Sequence, residues 1–313
     1  MSKRSYWEEN KLLKAFRFFA IFIVVVISLF PIFWMFSTSL KPSYEWTPAT
    51  PIWITKNGTL NNYQTVLLGP GRAKGGWHEL VGGELTGSME GGAGKVSLKG
   101  ESALFMPLFT SLLVCGSATA LSIIIGMLAA YAISRYKFGG NFFSFFILSA
   151  RMFPPIAVVI PLVIMFSIVG LLDSFIGLII AYTGFTLPFS VWMVKSFIDE
   201  VPKELEEAAI VDGMTNFQAI LKVTVPLTRG GIAATALFVF IINWGEFLVA
   251  FLLSATKVIT IPVLLSKYFT TVQGRLYGPQ AALGIIASIP VIIFAFIIQK
   301  HLVRGLTFGA VKR

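Results

Sequence analysis

Few side chains in this sequence have the types that carry chemistry, and their spacing decides what that chemistry can be. Glu206 and Glu207 are adjacent carboxylates in a water-facing stretch. Acid–base catalysis needs a nucleophile, a metal or a partner acid within hydrogen-bond reach, and neighbouring helical positions point apart. The two histidines, His78 and His301, are far apart, no H-E-x-x-H motif occurs, and Cys115 is alone. No catalytic set, metal site or internal disulfide is therefore expected. Gly94-Lys95 lacks the first Gly and the following Ser or Thr of a phosphate-cradling loop, and Lys74 occupies the third Gly position of a dinucleotide fingerprint. Two more charges, Arg151 and Glu246, interrupt long apolar runs. At a bilayer centre each would cost about 2.5–3.5 kcal/mol, so each should face a protein interior or a watery cavity. Two roles stay open. They line a polar pathway with Pro154, Asn243 and Trp244, or they pair with each other or with a second subunit and pin helices.

The elements that must position these residues follow from composition. The 313 residues are 56% hydrophobic and 13% charged, with mean hydropathy +0.79. That is the balance of a polytopic membrane protein. A bilayer core of about 30 Å needs about 20 helical residues. Spans are predicted over 18–40, 105–134, 141–169 (interrupted around Arg151 to Pro155), 174–194, 230–255 and 280–298. The fold class expected is an all-α integral membrane protein with six transmembrane helices and a long outer loop. Residues 1–17 form a basic segment, either lying at the membrane surface or frayed. Residues 41–104 are the outer loop, with a Gly-rich part at 69–100, and 105–303 hold the remaining five spans. Residues 304–313 form a basic tail. Much of the net charge of +10 lies at the ends of apolar runs, where it orients a membrane protein rather than marking a nucleic-acid partner. Six spans put both termini in the cytoplasm. Lys257, Lys267 and Arg275 on the last outer connection run against that rule.

Between the fourth and fifth spans, residues 199–228 read as helix, turn, helix. Pro202 suits a first helical position, and Glu204, Glu206 and Glu207 supply the negative charge that a helix N-terminus favours. Leu205, Ala208, Ala209 and Asp212 share helical spacing. Gly213 stands where a helix ends left-handed. Thr215 and Gln218 form a capping box, and Pro226 marks re-entry into apolar sequence. The pattern Glu207-Ala208-Ala209, three residues, Gly213, nine residues, then Val223-Thr224-Val225-Pro226 resembles the EAA loop of bacterial ABC importer permeases. Arg151-Met152-Phe153-Pro154-Pro155, Asn243-Trp244-Gly245-Glu246-Phe247 and Leu306-Thr307-Phe308-Gly309-Ala310-Val311-Lys312 are similar to segments of the carbohydrate-uptake, MalG-like members. Asn61-Asn62-Tyr63 resembles a segment that follows their first span. Gly245 departs from that pattern by removing a polar side chain.

The resemblance implies a non-catalytic permease subunit in the bacterial inner membrane that moves a sugar or polyol by alternating access. In that family Glu207, Ala208, Ala209, Asp212, Gly213 and Pro226 belong to the loop that docks on the ATPase. The implied partners are a second permease, a dimer of ATP-binding subunits holding ATP and Mg, an extracytoplasmic solute-binding protein and membrane lipid. This chain holds no cofactor of its own. A non-sugar solute such as glycerol phosphate or a polyamine is the alternative, and an integral membrane enzyme a distant one.

Overall fold

The computed structural model describes residues 11–68, 104–254, 256–270 and 274–309. Among them the fold is helical apart from a two-residue hairpin, β1 (Phe269–Thr270) against β2 (Gly274–Arg275). The helices are α1 (Lys11–Ser39), α2 (Asn61–Leu68), α3 (Phe105–Tyr136), α4 (Gly140–Ser149), α5 (Pro155–Ile168), α6 (Phe175–Asp199), α7 (Lys203–Val211), α8 (Asn216–Ala219), α9 (Val225–Trp244), α10 (Leu248–Leu253), α11 (Ile261–Ser266) and α12 (Tyr277–Gly309). Five runs among the described residues are long and apolar enough to cross a membrane: 14–39, 105–136, 175–199, 216–244 and 277–299. Apolar sequence forms helices here because only a helix satisfies its own backbone groups where water is absent.

The chain divides into two units, residues 1–82 with 268–286 and the remainder. In the first, α1 exposes an apolar surface along most of its length, Phe18 to Phe33, as a lipid-facing helix does. Its last carbonyls would be orphans. Asn62 of α2 donates Nδ2 to both Ser39 O (2.9 Å) and Lys41 O (2.8 Å), and the Tyr63 hydroxyl meets Ser39 Oγ at 2.8 Å. Residues 41–68 thus fold back on the helix end, with a 3₁₀ turn at Ser43–Glu45 and α2 where a loop was predicted. Lys41 Nζ sits 4.1 Å from the Trp34 ring, and Trp34 meets Trp53 edge-on at 5.6 Å. The Gly-rich stretch 69–100 lies outside the described residues.

In the second unit the core lies where α3, α6, α9 and α10 pack, around Val114, Ala118, Leu178, Tyr182, Phe240, Trp244 and Val249. Lipid supplies no hydrophobic drive between helices, so close backbone approach and polar contacts must hold them. A Cβ on Gly126 of α3 would fall 2.8 Å from Ser190 Cβ of α6. One turn away, Ser122 Oγ meets Thr186 Oγ1 at 2.8 Å, both buried. Small residues, not large apolar ones, set this contact.

Two predicted spans are broken. Between α4 and α5 a 3₁₀ turn (Ala150–Met152) leads into extended Phe153 and Pro154, and Pro155 opens α5. The residue before a proline is driven out of the α region, which ends the helix there. The fifth predicted span begins earlier than expected, at Val225, and stops at Trp244. Gly245 to Phe247 interrupt it before α10. The last helix outruns its predicted end and continues to Gly309.

Candidate functional site

The segment between α6 and α9 builds two short helices from local signals. Pro202 is the N-cap of α7, so the helix starts one residue later than predicted. At the other end Gly213 has φ +91°, its N–H donates to Ile210 O (3.0 Å), and Met214 N–H donates to Ala209 O (3.1 Å). This 5→2, 6→1 pair closes the helix in the Schellman manner. A Cβ at Gly213 would meet nothing within 4 Å, so a substitution there would be strained by backbone conformation alone. Thr215 Oγ1 accepts from Gln218 N–H (3.3 Å) while Gln218 Oε1 accepts from Thr215 N–H (3.0 Å), completing the capping box. From α8 the chain passes through a π-turn, Ile220–Thr224, directly into α9, with Pro226 in its first turn. Glu207, Ala208, Asp212, Gly213 and Pro226 are exposed, and Ala209 is buried. The same surface exposes Leu205, Ile210, Phe217, Leu221 and above all Val211, at 86%.

Glu206 is the residue that sequence reasoning missed. It is 5% exposed, although it sits between two solvent-facing neighbours. Its Oε1 accepts from Arg135 Nη2 (2.7 Å) and Nε (3.0 Å) and from Thr224 Oγ1 (2.9 Å). Its Oε2 accepts from the Tyr131 hydroxyl (2.9 Å). Arg135 Nη2 also donates to Val201 O at 3.0 Å. Burial opposes the ionised carboxylate, but the donors from Arg135, Tyr131 and Thr224 outweigh it and hold Glu206 below the ordinary glutamate range. Arg135 reads in sequence as part of a plain basic turn. The available signal was register, since Glu206 falls three residues before buried Ala209 and so shares its face. Beside this cluster Asp199, at the end of α6, accepts from Lys195 Nζ (2.6 Å) and from Ser134 Oγ (2.5 Å) in an exposed pair, of the kind that adds little stability.

The helix breaks border a cavity of about 640 Å³, in the size range of small-molecule sites. Phe153, Pro155, Phe166, Tyr182 and Phe185 line it together with Thr186, Asn243 and Glu246. Asn243 is buried and donates Nδ2 to Thr119 Oγ1 of α3 at 3.3 Å. Glu246 is half-buried. Its Oε1 accepts from Val249 N–H (3.0 Å), capping α10, and its carbonyl accepts from the Tyr182 hydroxyl (3.1 Å). Of the five pathway candidates, Asn243 and Glu246 reach the wall. Trp244 turns into the core, donating Nε1 to Ala287 O at 3.1 Å and stacking on Phe240. Pro154 is the exposed N-cap of α5 beside the wall residue Phe153. The backbone of Arg151 lies in the 3₁₀ turn, and its side chain lies outside the described residues.

Residues 122–308 match the family described as the binding-protein-dependent transport system inner membrane component. Over 293 residues the chain is 34% identical to the trehalose transport system permease protein SugB of Mycobacterium tuberculosis, covering 93% of this chain and 94% of that protein. It is 30% identical over 297 residues to the trehalose/maltose transport system permease protein MalG of Thermococcus litoralis, covering 93% and 94%. Among solved structures, a chain of a bacterial ABC transporter involved in the import of the acidic polysaccharide alginate shares the fold. Its TM-score is 0.68 at 20% identity, over 95% of this chain and 98% of that one. The long apolar helices and the family match together define an inner membrane transport component. The chain belongs to the binding-protein-dependent inner membrane permease family, and it is a multi-pass permease subunit of an ABC importer.

Proposed function

We propose that this subunit carries a sugar or polyol across a bacterial inner membrane, with the energy drawn from ATP and Mg bound by partner subunits. The trehalose and trehalose/maltose relatives support the solute class. So does the cavity, whose aromatic walls suit sugar-ring faces and whose Asn243 and Glu246 suit hydroxyls. The observation that carries the reading is the exposed apolar strip on α7, Leu205, Ile210 and above all Val211, on a helix outside the apolar spans. An apolar surface in water calls for a partner. In this reading the partner is an ATP-binding subunit, and Glu207, Ala208, Ala209, Asp212, Gly213 and Pro226 form the docking loop. The α4–α5 pair, broken at Pro154, supplies the sixth crossing, and both termini face the cytoplasm with the loop. A second permease completes the pathway, and a solute-binding protein delivers the cargo on the outer side. ATP binding moves the loop, and the spans shift between two states of the cavity.

The test is purification of the chain in mild detergent after expression with its native neighbours, followed by mass spectrometry and an ATPase assay with candidate sugars and polyols. Recovery of an ATP-binding subunit, a second permease and solute-stimulated hydrolysis is the expected result. A stable chain recovered alone, with no ATPase, overturns the reading.

A further inference from the structure

Glu206 is buried, charged and satisfied by donors from two other stretches of chain, so that three are joined. Arg135 and Tyr131 stand on the last turns of α3. Thr224 stands in the π-turn that opens α9. Glu206 itself stands on α7, the helix that carries the exposed apolar strip. The ion pair is closed to solvent, with side chains 8% and 7% exposed. Removing two charges from water is expensive, and an apolar substitute commonly gives a more stable protein, so such a pair is better explained by the arrangement it specifies than by stability. The arrangement here is specific. Arg135 uses its fork to hold Glu206 Oε1 and the Val201 carbonyl together, gripping both α7 and the chain that leads into it. Thr224 brings the π-turn to the same oxygen. A π-turn widens a helix locally, and such turns recur at functional sites.

The two helices so joined also meet beside the cavity, to whose wall α9 contributes. Asn243, near the far end of α9, donates to Thr119 of α3 and lines the cavity wall. From Val225 to Asn243 is 19 residues, about 28 Å of helix at 1.5 Å per residue. The clasp therefore sits at one end of an α3–α9 pair and the cavity toward the other.

We propose that Glu206 is a positioning residue that converts movement of the α7–α8 segment into a joint movement of α3 and α9, through Arg135 and Tyr131 on one side and Thr224 on the other. This rests on the importer reading and adds to it the connection between the docking loop and the spans. Glu207, its exposed neighbour, has no part in the clasp. Without Glu206, the segment still docks and hydrolysis on the partner continues, but the cavity no longer follows.

The test uses the assembled complex. Cys115 is the only cysteine of the chain, so a Cys115→Ser background carries one reporter, Ile242→Cys, on the cavity wall. Its rate of maleimide labelling is measured with and without ATP and vanadate, alongside ATP hydrolysis. Glu206→Gln keeps the shape and removes the charge; Thr224→Val removes only the π-turn donor. In the parent complex nucleotide changes the labelling rate. With Glu206→Gln the change shrinks about tenfold relative to hydrolysis, a size typical of one lost charge-assisted contact on a coupling route. Thr224→Val gives a smaller loss in the same direction. A full labelling response in both variants overturns the proposal. So does loss of assembly in both, which would make the clasp a folding element only. Labelling that ignores nucleotide in the parent complex removes the importer reading itself.

Discussion

Two carboxylates lie beyond the two ends of α6, and they recruit their donors differently. Asp173 lies just before α6. It has φ +53°, its N–H donates to Leu253 O (2.8 Å), and its carboxylate accepts from Ser254 Oγ (2.9 Å), Thr256 Oγ1, Lys257 N–H and Val258 N–H (3.1 Å). These four donors all come from one short stretch, residues 254–258, and Lys267 adds a charge attraction. Glu206 lies just beyond the other end of α6 and draws its donors from Tyr131, Arg135 and Thr224, 75, 71 and 18 residues away. Burial works against both carboxylates, and in both the donors win, so both are held below their ordinary ranges. Asp173 is thus a loop fastener, an anion wrapped by successive amides and hydroxyls as in backbone nests. Glu206 is a joint between helices. Loss of the first should free a loop, and loss of the second should leave a buried charge unpaired or separate three elements.

The largest effect that would sharpen this contrast is Arg135→Met. It leaves Glu206 buried without its counter-ion, a kind of loss that costs roughly 3–5 kcal/mol. Thermal unfolding of the purified complex should show it, and a variant as stable as the parent would break the comparison. Asp173→Asn comes next, at roughly 1.5–3 kcal/mol, because hydrogen bonds to a charged acceptor are weakened while the loop stays partly solvated. Limited proteolysis should then cut within residues 254–258 and leave the α7–α8 segment intact. Cleavage in α7–α8 instead would show that the two ends are not separate.

Acid should weaken both ends. A carboxyl whose folded value is depressed contributes stability that is full above its unfolded value and is lost as pH falls through the folded one. Stability should therefore be flat near neutrality and decline below the ordinary values, 4.5 for Glu206 and 3.8 for Asp173. Glu206→Gln should flatten the part of the acid limb that begins below 4.5, read from unfolding midpoints across pH. An unchanged limb would place the titration elsewhere. The smallest effect is a null one. Glu206→Gln and Asp173→Asn are separated by α6, 25 residues or about 37 Å, so their destabilisations should add to within about 0.5 kcal/mol. A larger departure in a double-mutant cycle would mean that the two ends communicate through the helix.

Much of the α7–α8 segment was legible because its signals are local. Thr215 and Gln218 stand three residues apart and bond each other, and Gly213 ends α7 with a conformation that only a residue without Cβ adopts freely. The same holds for Pro154 and Pro155, an adjacent pair that ends a helix, whereas the single prolines Pro31, Pro161, Pro188 and Pro290 stay inside theirs. Trp244 and Asn243 show the limit. They are adjacent in an apolar run, and the sequence offers both as pathway candidates. One helical step, about 100°, separates them, and it sends the indole into the core against Phe240 and the amide to the cavity wall. Helix α2 was missed because it is short and polar, and its stability comes from Asn62 satisfying the end of α1 rather than from its own periodicity.

The sequence by itself determined that this chain crosses a membrane in helices, that the third predicted span breaks around Arg151 to Pro155, and that a capped helix-turn-helix stands between two spans. Each follows from backbone groups that must be satisfied within a few residues, or from apolar length. Only the tertiary structure decided which of Glu206 and Glu207 is buried, that Arg135 is a partner rather than a topology signal, and that Asn243 faces a cavity. Those choices depend on side chains that meet across tens of residues of chain, and nothing in the local sequence carries that distance.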